Sequence, residues 1–161
     1  MREILFRGKR IDNGEWIEGY YYKAKYCRTD DELCDYITVP HPKEYNEPSS
    51  HYIVDPETVG QYTGLTDKNG KRIFEGDIVE ITFHSDAKYQ CLIWFNKEMS
   101  CWEAIETKDI RFNGNDYYGN NVEYSNFCFM LQDPYGDVES VKIIGNLHDN
   151  PELLKEGDEN G

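Results

Sequence analysis

Two Asn-Gly pairs, Asn13-Gly14 and Asn69-Gly70, each set between runs of β-branched and aromatic residues, constrain this chain more than any other feature. Asn-Gly is the strongest short-range hairpin signal, because both residues tolerate the positive φ that a tight strand reversal demands. The first pair lies in DNGE, between a segment carrying Ile4, Phe6 and Ile11 and an extended run from Trp16 to Tyr22. The second lies in GLTDKNGKRIFEGDIVEI, Gly64 to Ile81, and feeds an alternating run from Asp77 to Phe83. In that run Ile78, Glu80 and Thr82 should face opposite to Val79, Ile81 and Phe83, since successive strand residues point to opposite sides of a sheet.

The rest of the chain carries the same punctuation. Between Lys25 and Ser50 three prolines and many charges surround a short apolar run, YITVP, which reads as one strand inside a long excursion. HYIVDPETVGQYTGL has strand composition but is broken at Asp55-Pro56, where proline removes a ladder donor, so it predicts two short strands. YQCLIWF reads as a central strand, SCWEAIE as an alternating one, and VEYSNFCFMLQ and VESVKIIGNL as two more, separated by a DPYGD turn. In NLHDNPELLKEG, Asn150 can cap a short helix that has Pro151 at its first position. The expected fold is mainly β, with antiparallel strands, an N-terminal β-hairpin and a short C-terminal helix. FEGDIVEITF resembles the strand entry of small SH3-like barrels, which places a barrel-like core between about Val59 and Leu147. The expected division is 1–58, a hairpin plus an irregular acidic segment, and 59–161, the barrel with its helical turn and tail.

Composition limits the function classes. A chain of 161 residues can bury enough surface for a principal core without a metal or disulfide staple. Its five cysteines, Cys27, Cys34, Cys91, Cys101 and Cys128, are odd in number and dispersed, which fits reduced thiols. No apolar run approaches the ~20 residues of a membrane-spanning helix, and MREILFRGKRIDNGEW turns charged too early for a signal peptide, so a cytoplasmic chain is expected. The formal net charge of −14 disfavours direct nucleic-acid binding, which depends on cations that neutralise phosphates. The acidic stretch from Thr29 to Glu57 instead allows a DNA mimic, provided that Asp30, Asp31, Asp35, Glu44 and Glu47 form a continuous negative strip.

Chemistry-bearing motifs are weak. Gly64, Gly70 and Lys71 imitate a phosphate loop, but the glycines are one residue too far apart, Arg72 replaces the required hydroxyl, and a strand follows where a helix is needed. His41, His51, His84 and His148 are scattered, and the Asp30-Asp31-Glu32 run lacks the oxygen spacing of a calcium loop, so neither nominates a metal site. Neither Cys91 nor Cys101 has a sequence context that makes it a nucleophile. Trp16, Trp94 and Trp102 read as core residues rather than a base-stacking platform. No catalytic, cofactor-binding or metal-ligating residue is nominated.

Three segments, ILFRGKRIDNGEWIEGYYY, TVGQYTGLTDKNGKRIFEGDIVEI and IIGNLHDNPELL, resemble in order the signature blocks of the YopX family of bacteriophage and prophage proteins. The resemblance implies a phage-derived cytoplasmic protein of largely β fold with an SH3-like barrel, and it implies no activity. The leading functional expectation is a non-enzymatic module that binds a host or phage protein, with Thr66, Asp67, Lys68 and Lys71 at the exposed rim of the interface. The alternatives are the acidic DNA mimic, and an enzyme or small-ligand binder whose site is assembled from distant residues.

Overall fold

The computed structural model describes residues 3–25, 33–40, 49–97, 100–107, 125–126 and 138–154. Among them the chain is mainly β, and its strands pair antiparallel throughout. It divides into two compact units, Met1–Gly64 and Leu65–Gly161.

In the first unit, β1 (Phe6–Lys9), β2 (Trp16–Lys25), β3 (Leu33–Val39), β4 (Ser50–Ile53) and β5 (Gly60–Thr66) stand in the order β4-β3-β2-β1-β5. The Tyr36–Val39 part of YITVP forms the end of β3, as expected. Asp55-Pro56 separates β4 from β5 along the chain as a 3-10 turn, Pro56–Thr58. The Asp55 carboxylate accepts from the Glu57 N–H at 3.1 Å, and proline stands where no donor is required. The sheet buries one face: Ile37 and Val54 are enclosed, and Phe6 meets Tyr21 at 5.3 Å between ring centroids. Tyr20 and Tyr22, one residue either side of Tyr21, lie exposed on the opposite face, as the two-residue strand period requires.

β5 carries the chain across the boundary at Gly64 and Leu65. The second unit holds β6 (Arg72–Phe74), β7 (Asp77–Phe83), β8 (Lys88–Asn96), β9 (Cys101–Glu106), β10 (Ser125–Asn126) and β11 (Val138–Asn146). Five of these form a sheet in the order β10-β9-β8-β7-β11. The expected split of β7 is realised. Val79 and Ile81 pack on one side with Ile73, Cys91, Ile93, Trp102, Ala104 and Val141, and Phe83 lies against them. Ile78 points to the other side, to Leu92, Ile105 and Leu154. Among the described residues β10 and β11 are the edges of this sheet, an order that does not itself express the closure of an SH3-like barrel. The turn DPYGD and the 113–121 loop lie outside the described residues, as does most of VEYSNFCFMLQ.

Three local expectations need correction. Both Asn-Gly pairs sit in hairpin turns, but only the glycines, Gly14 and Gly70, have positive φ; Asn13 and Asn69 do not. The Gly70 N–H closes a four-residue turn on the Asp67 carbonyl at 2.9 Å, and the Asp67 N–H reaches the Lys71 carbonyl at 2.8 Å. The loop is therefore three residues, a turn followed by one left-handed glycine, rather than the two-residue loop that needs two positive φ angles. At the C-terminus the expected helix is a single 3-10 turn, Pro151–Leu154. The Asn150 side chain turns backward, accepting from the Asn146 N–H at 3.3 Å instead of capping that turn. Trp16, expected in the core, is half-buried and lies under the Arg7 guanidinium at 4.9 Å and the Lys9 ammonium at 5.5 Å.

Candidate functional site

The GLTDKNGKR segment folds as a hairpin whose geometry is imposed by one carboxylate. Asp67 ends the strand pairing, and its Oδ1 accepts from the N–H groups of Asn69 at 2.8 Å and Lys71 at 2.9 Å. Its Oδ2 faces the Ile143 N–H at 3.4 Å, and the Lys68 N–H donates to the Val141 carbonyl at 2.8 Å. The turn thus lies along the outer edge of β11, 76 residues further on in the chain. Burial by itself would push the Asp67 carboxyl up, but the backbone N–H groups of Lys71, Asn69 and Ile143 outweigh it and hold it below the usual carboxylate range.

These contacts sort the four candidate residues. Thr66, Lys68 and Lys71 are exposed, whereas Asp67 is buried, which corrects its expected place at an exposed rim. The reason is physical: a short acidic side chain at the head of a turn satisfies backbone donors better there than water would. Beyond Lys71 the chain enters β6, a strand, and not the helix on which a phosphate loop depends. The neighbouring EGD turn is anchored in the same way. Asp77 is 1% exposed and accepts from the Phe74 N–H at 2.8 Å, while Gly76 supplies the positive φ.

The acidic strip is depleted at its one described member. Asp35 is buried, accepts from the Tyr21 hydroxyl and lies 3.2 Å from the Lys23 ammonium. Burial, followed by the adjacent Asp35 carboxylate, raises the Tyr21 phenol, and the same carboxylate raises the Lys23 ammonium. Asp30, Asp31, Glu32, Glu44 and Glu47 lie outside the described residues, as do Cys27, Cys128 and His41. Asp35 is spent on internal pairing and cannot present its charge to a basic cleft.

The remaining chemistry-bearing residues are separated. His51 lies exposed on β4, its Nδ1 within 3.0 Å of the Tyr22 hydroxyl and 2.9 Å of the Thr38 hydroxyl, and Tyr22 stacks on Tyr36 at 5.1 Å. Cys34 and Cys101 are half-buried thiols and Cys91 is a buried one. Among the described residues no group of three His, Cys, Asp or Glu side chains is placed to hold a metal ion, and no helix is long and apolar enough to cross a membrane. A buried carboxylate on β9 escaped the sequence reading. Glu103 is 2% exposed on β9, with Oε1 accepting from the Asn96 amide at 2.8 Å. The alternation of SCWEAIE did carry the signal, since it puts Glu103 on the same face as Ile105, which packs with Ile78, Leu92 and Leu154.

Comparison with known proteins adds a family and a distant structural likeness. No curated protein matches the chain. A crystal structure of protein EF1440 from Enterococcus faecalis is 20% identical, with the match covering 96% of this chain and 100% of that one at a TM-score of 0.45. The YopX protein family matches over residues 5–155, a span that takes in both hairpin turns, the Asp67 anchor and the 3-10 turn at Pro151. On that match, which leaves only the two extremities uncovered, the chain belongs to the YopX protein family.

Proposed function

We propose that this protein is a non-enzymatic interaction module that binds a host or phage protein in the bacterial cytoplasm, with Thr66, Lys68 and Lys71 at the contact surface. The observation that carries the reading is the contrast within one turn. Asp67 is buried and holds backbone donors, while its neighbours Lys68 and Lys71 stand exposed on the fixed backbone. Loops held on a rigid scaffold are where binding residues concentrate, because the scaffold removes the entropy cost of ordering them on contact. In a chain of net charge −14, two exposed cations on such a turn favour an acidic partner surface.

Affinity capture from a prophage-carrying bacterium, comparing the wild type with the double variant Lys68→Glu and Lys71→Glu, tests the reading. Both side chains are exposed, so the melting temperature should hold nearly constant while the captured partner is lost. A double variant that folds normally and retains every captured protein would sink the assignment and leave the turn as a chain reversal.

A further inference from the structure

We infer that the outer edge of β11 is a docking site for an extended acidic peptide segment, and that the Asp67–Lys68 turn occupies it by imitating one residue of an added strand. The inference rests on the reading of the chain as an interaction module and gives its partner a chemistry. An edge strand presents alternate N–H and C=O groups outward, and an incoming strand satisfies them as a donor and an acceptor flanking one residue. At β11 the groups so engaged are the Val141 carbonyl and the Ile143 N–H, on either side of Lys142. The Lys68 N–H supplies the donor at 2.8 Å, and the Asp67 Oδ2, standing where a strand carbonyl would, supplies the acceptor at 3.4 Å.

The two contacts are unequal, and that favours exchange. The acceptor contact is long for a hydrogen bond, and the same carboxylate is already engaged by Asn69 and Lys71. An arriving peptide carbonyl could take over the Ile143 N–H without dismantling the hairpin, whose closing bond between Asp67 and Lys71 lies within the turn. Main-chain pairing supplies affinity in strand addition, and side chains supply selectivity. Here Lys68, Lys71 and Lys142 are exposed on the turn and the strand. Glu80 stands opposite Lys142 on β7 and is engaged by the Lys88 ammonium at 3.5 Å. A peptide alternating acidic and β-branched residues fits this edge; a basic one does not.

The test uses the full chain and a blocked synthetic peptide of alternating Glu and Val, with a second copy of the peptide N-methylated at alternate amides. Lys68→Pro removes the N–H that donates to the Val141 carbonyl, and Lys68→Ala removes the same side-chain charge while keeping that N–H. Proline is favoured at the second position of a turn such as Asp67–Gly70, so this variant keeps the hairpin. Calorimetry should find that the unmodified peptide binds the wild type, binds Lys68→Pro about fivefold more tightly than Lys68→Ala, the ratio carried by one backbone hydrogen bond, and loses affinity when N-methylated. Absence of binding to the wild type, equal affinity of Lys68→Pro and Lys68→Ala, or equal binding of the methylated peptide overturns the inference. Lys68→Pro that instead forms dimers in light scattering would give the edge to a second copy of the chain and overturn the acidic partner. If the peptide fails while capture still depends on Lys68 and Lys71, only the strand-docking inference falls; if capture fails as well, the interaction reading falls with it.

Discussion

Two aspartates account for how the central turns hold. Asp77 is sealed from solvent and its carboxylate accepts from the Phe74 N–H, so Asp77→Ala leaves a buried donor unmet. Urea unfolding should register a loss of about 2 kcal/mol, the cost of an orphaned buried backbone group. Asp77→Asn, which keeps an acceptor, should recover part of it; equal losses for the two variants would contradict the hydrogen-bond account. Asp67 carries a pH signature. Its carboxyl is depressed when folded, so its contribution is complete above the unfolded value near 3.8 and is lost as pH falls through the lower folded value. Melting temperatures measured from neutral pH down through that window should fall less steeply for Asp67→Asn than for the wild type. Parallel curves would show that Asp67 does not couple to folding. The part played by both aspartates was half legible beforehand. Asp beside a turn is familiar chemistry, since its short carboxylate reaches nearby backbone N–H groups. That Asp67 also reaches Ile143 could not be read, because β11 lies far along the chain and only the packed sheet brings it near.

At the scale of elements, strand position was the most legible property and turn geometry the least. The alternating run from Asp77 to Phe83 is β7 to the residue, because a two-residue period in which both faces are apolar at several positions admits few other foldings. The loops differed by one or two residues from the Asn-Gly expectation, since whether Asn adopts positive φ depends on the twist of the strands it joins. Gly19 illustrates a constraint that belongs to the element. A Cβ added there would stand 2.1 Å from the Thr38 carbonyl oxygen, at the end of the β2–β3 pairing. Gly19→Ala must therefore push β3 away. Hydrogen exchange should accelerate at Tyr36 to Val39 while β7 and β8 stay protected; unchanged exchange across β3 would show that the sheet absorbs the methyl group by another route. Gly70 makes the contrast. It has open space around the Cβ position and is required for its φ alone.

The whole molecule is dominated by charge. A formal net charge of −14 creates self-repulsion that grows as the chain compacts, and no single ion pair cancels it. Raising ionic strength from about 0.01 to about 0.1 M shortens the screening length from about 30 to about 10 Å, so the melting temperature should rise over that interval. A melting temperature that fell with salt would mean that local attractions such as Lys23 with Asp35 and Lys88 with Glu80 outweigh the net repulsion.

Short-range periodicity and turn chemistry suffice for the β class, the antiparallel pairing, the hairpin reversals and the faces of β7, which is why the sequence alone made these legible. It also carried the family through its three blocks. Which side chains those reversals bury follows instead from packing between distant strands. Asp35 reads as surface charge in an acidic run and becomes an internal partner of Tyr21 and Lys23. Glu103 reads as one carboxylate among many and lies buried with Asn96. Asp67 reads as the exposed head of a loop and is drawn under it by backbone donors, one of them on a strand 76 residues away. A carboxylate goes where its hydrogen bonds can be met, and those partners are not assembled until the sheet is.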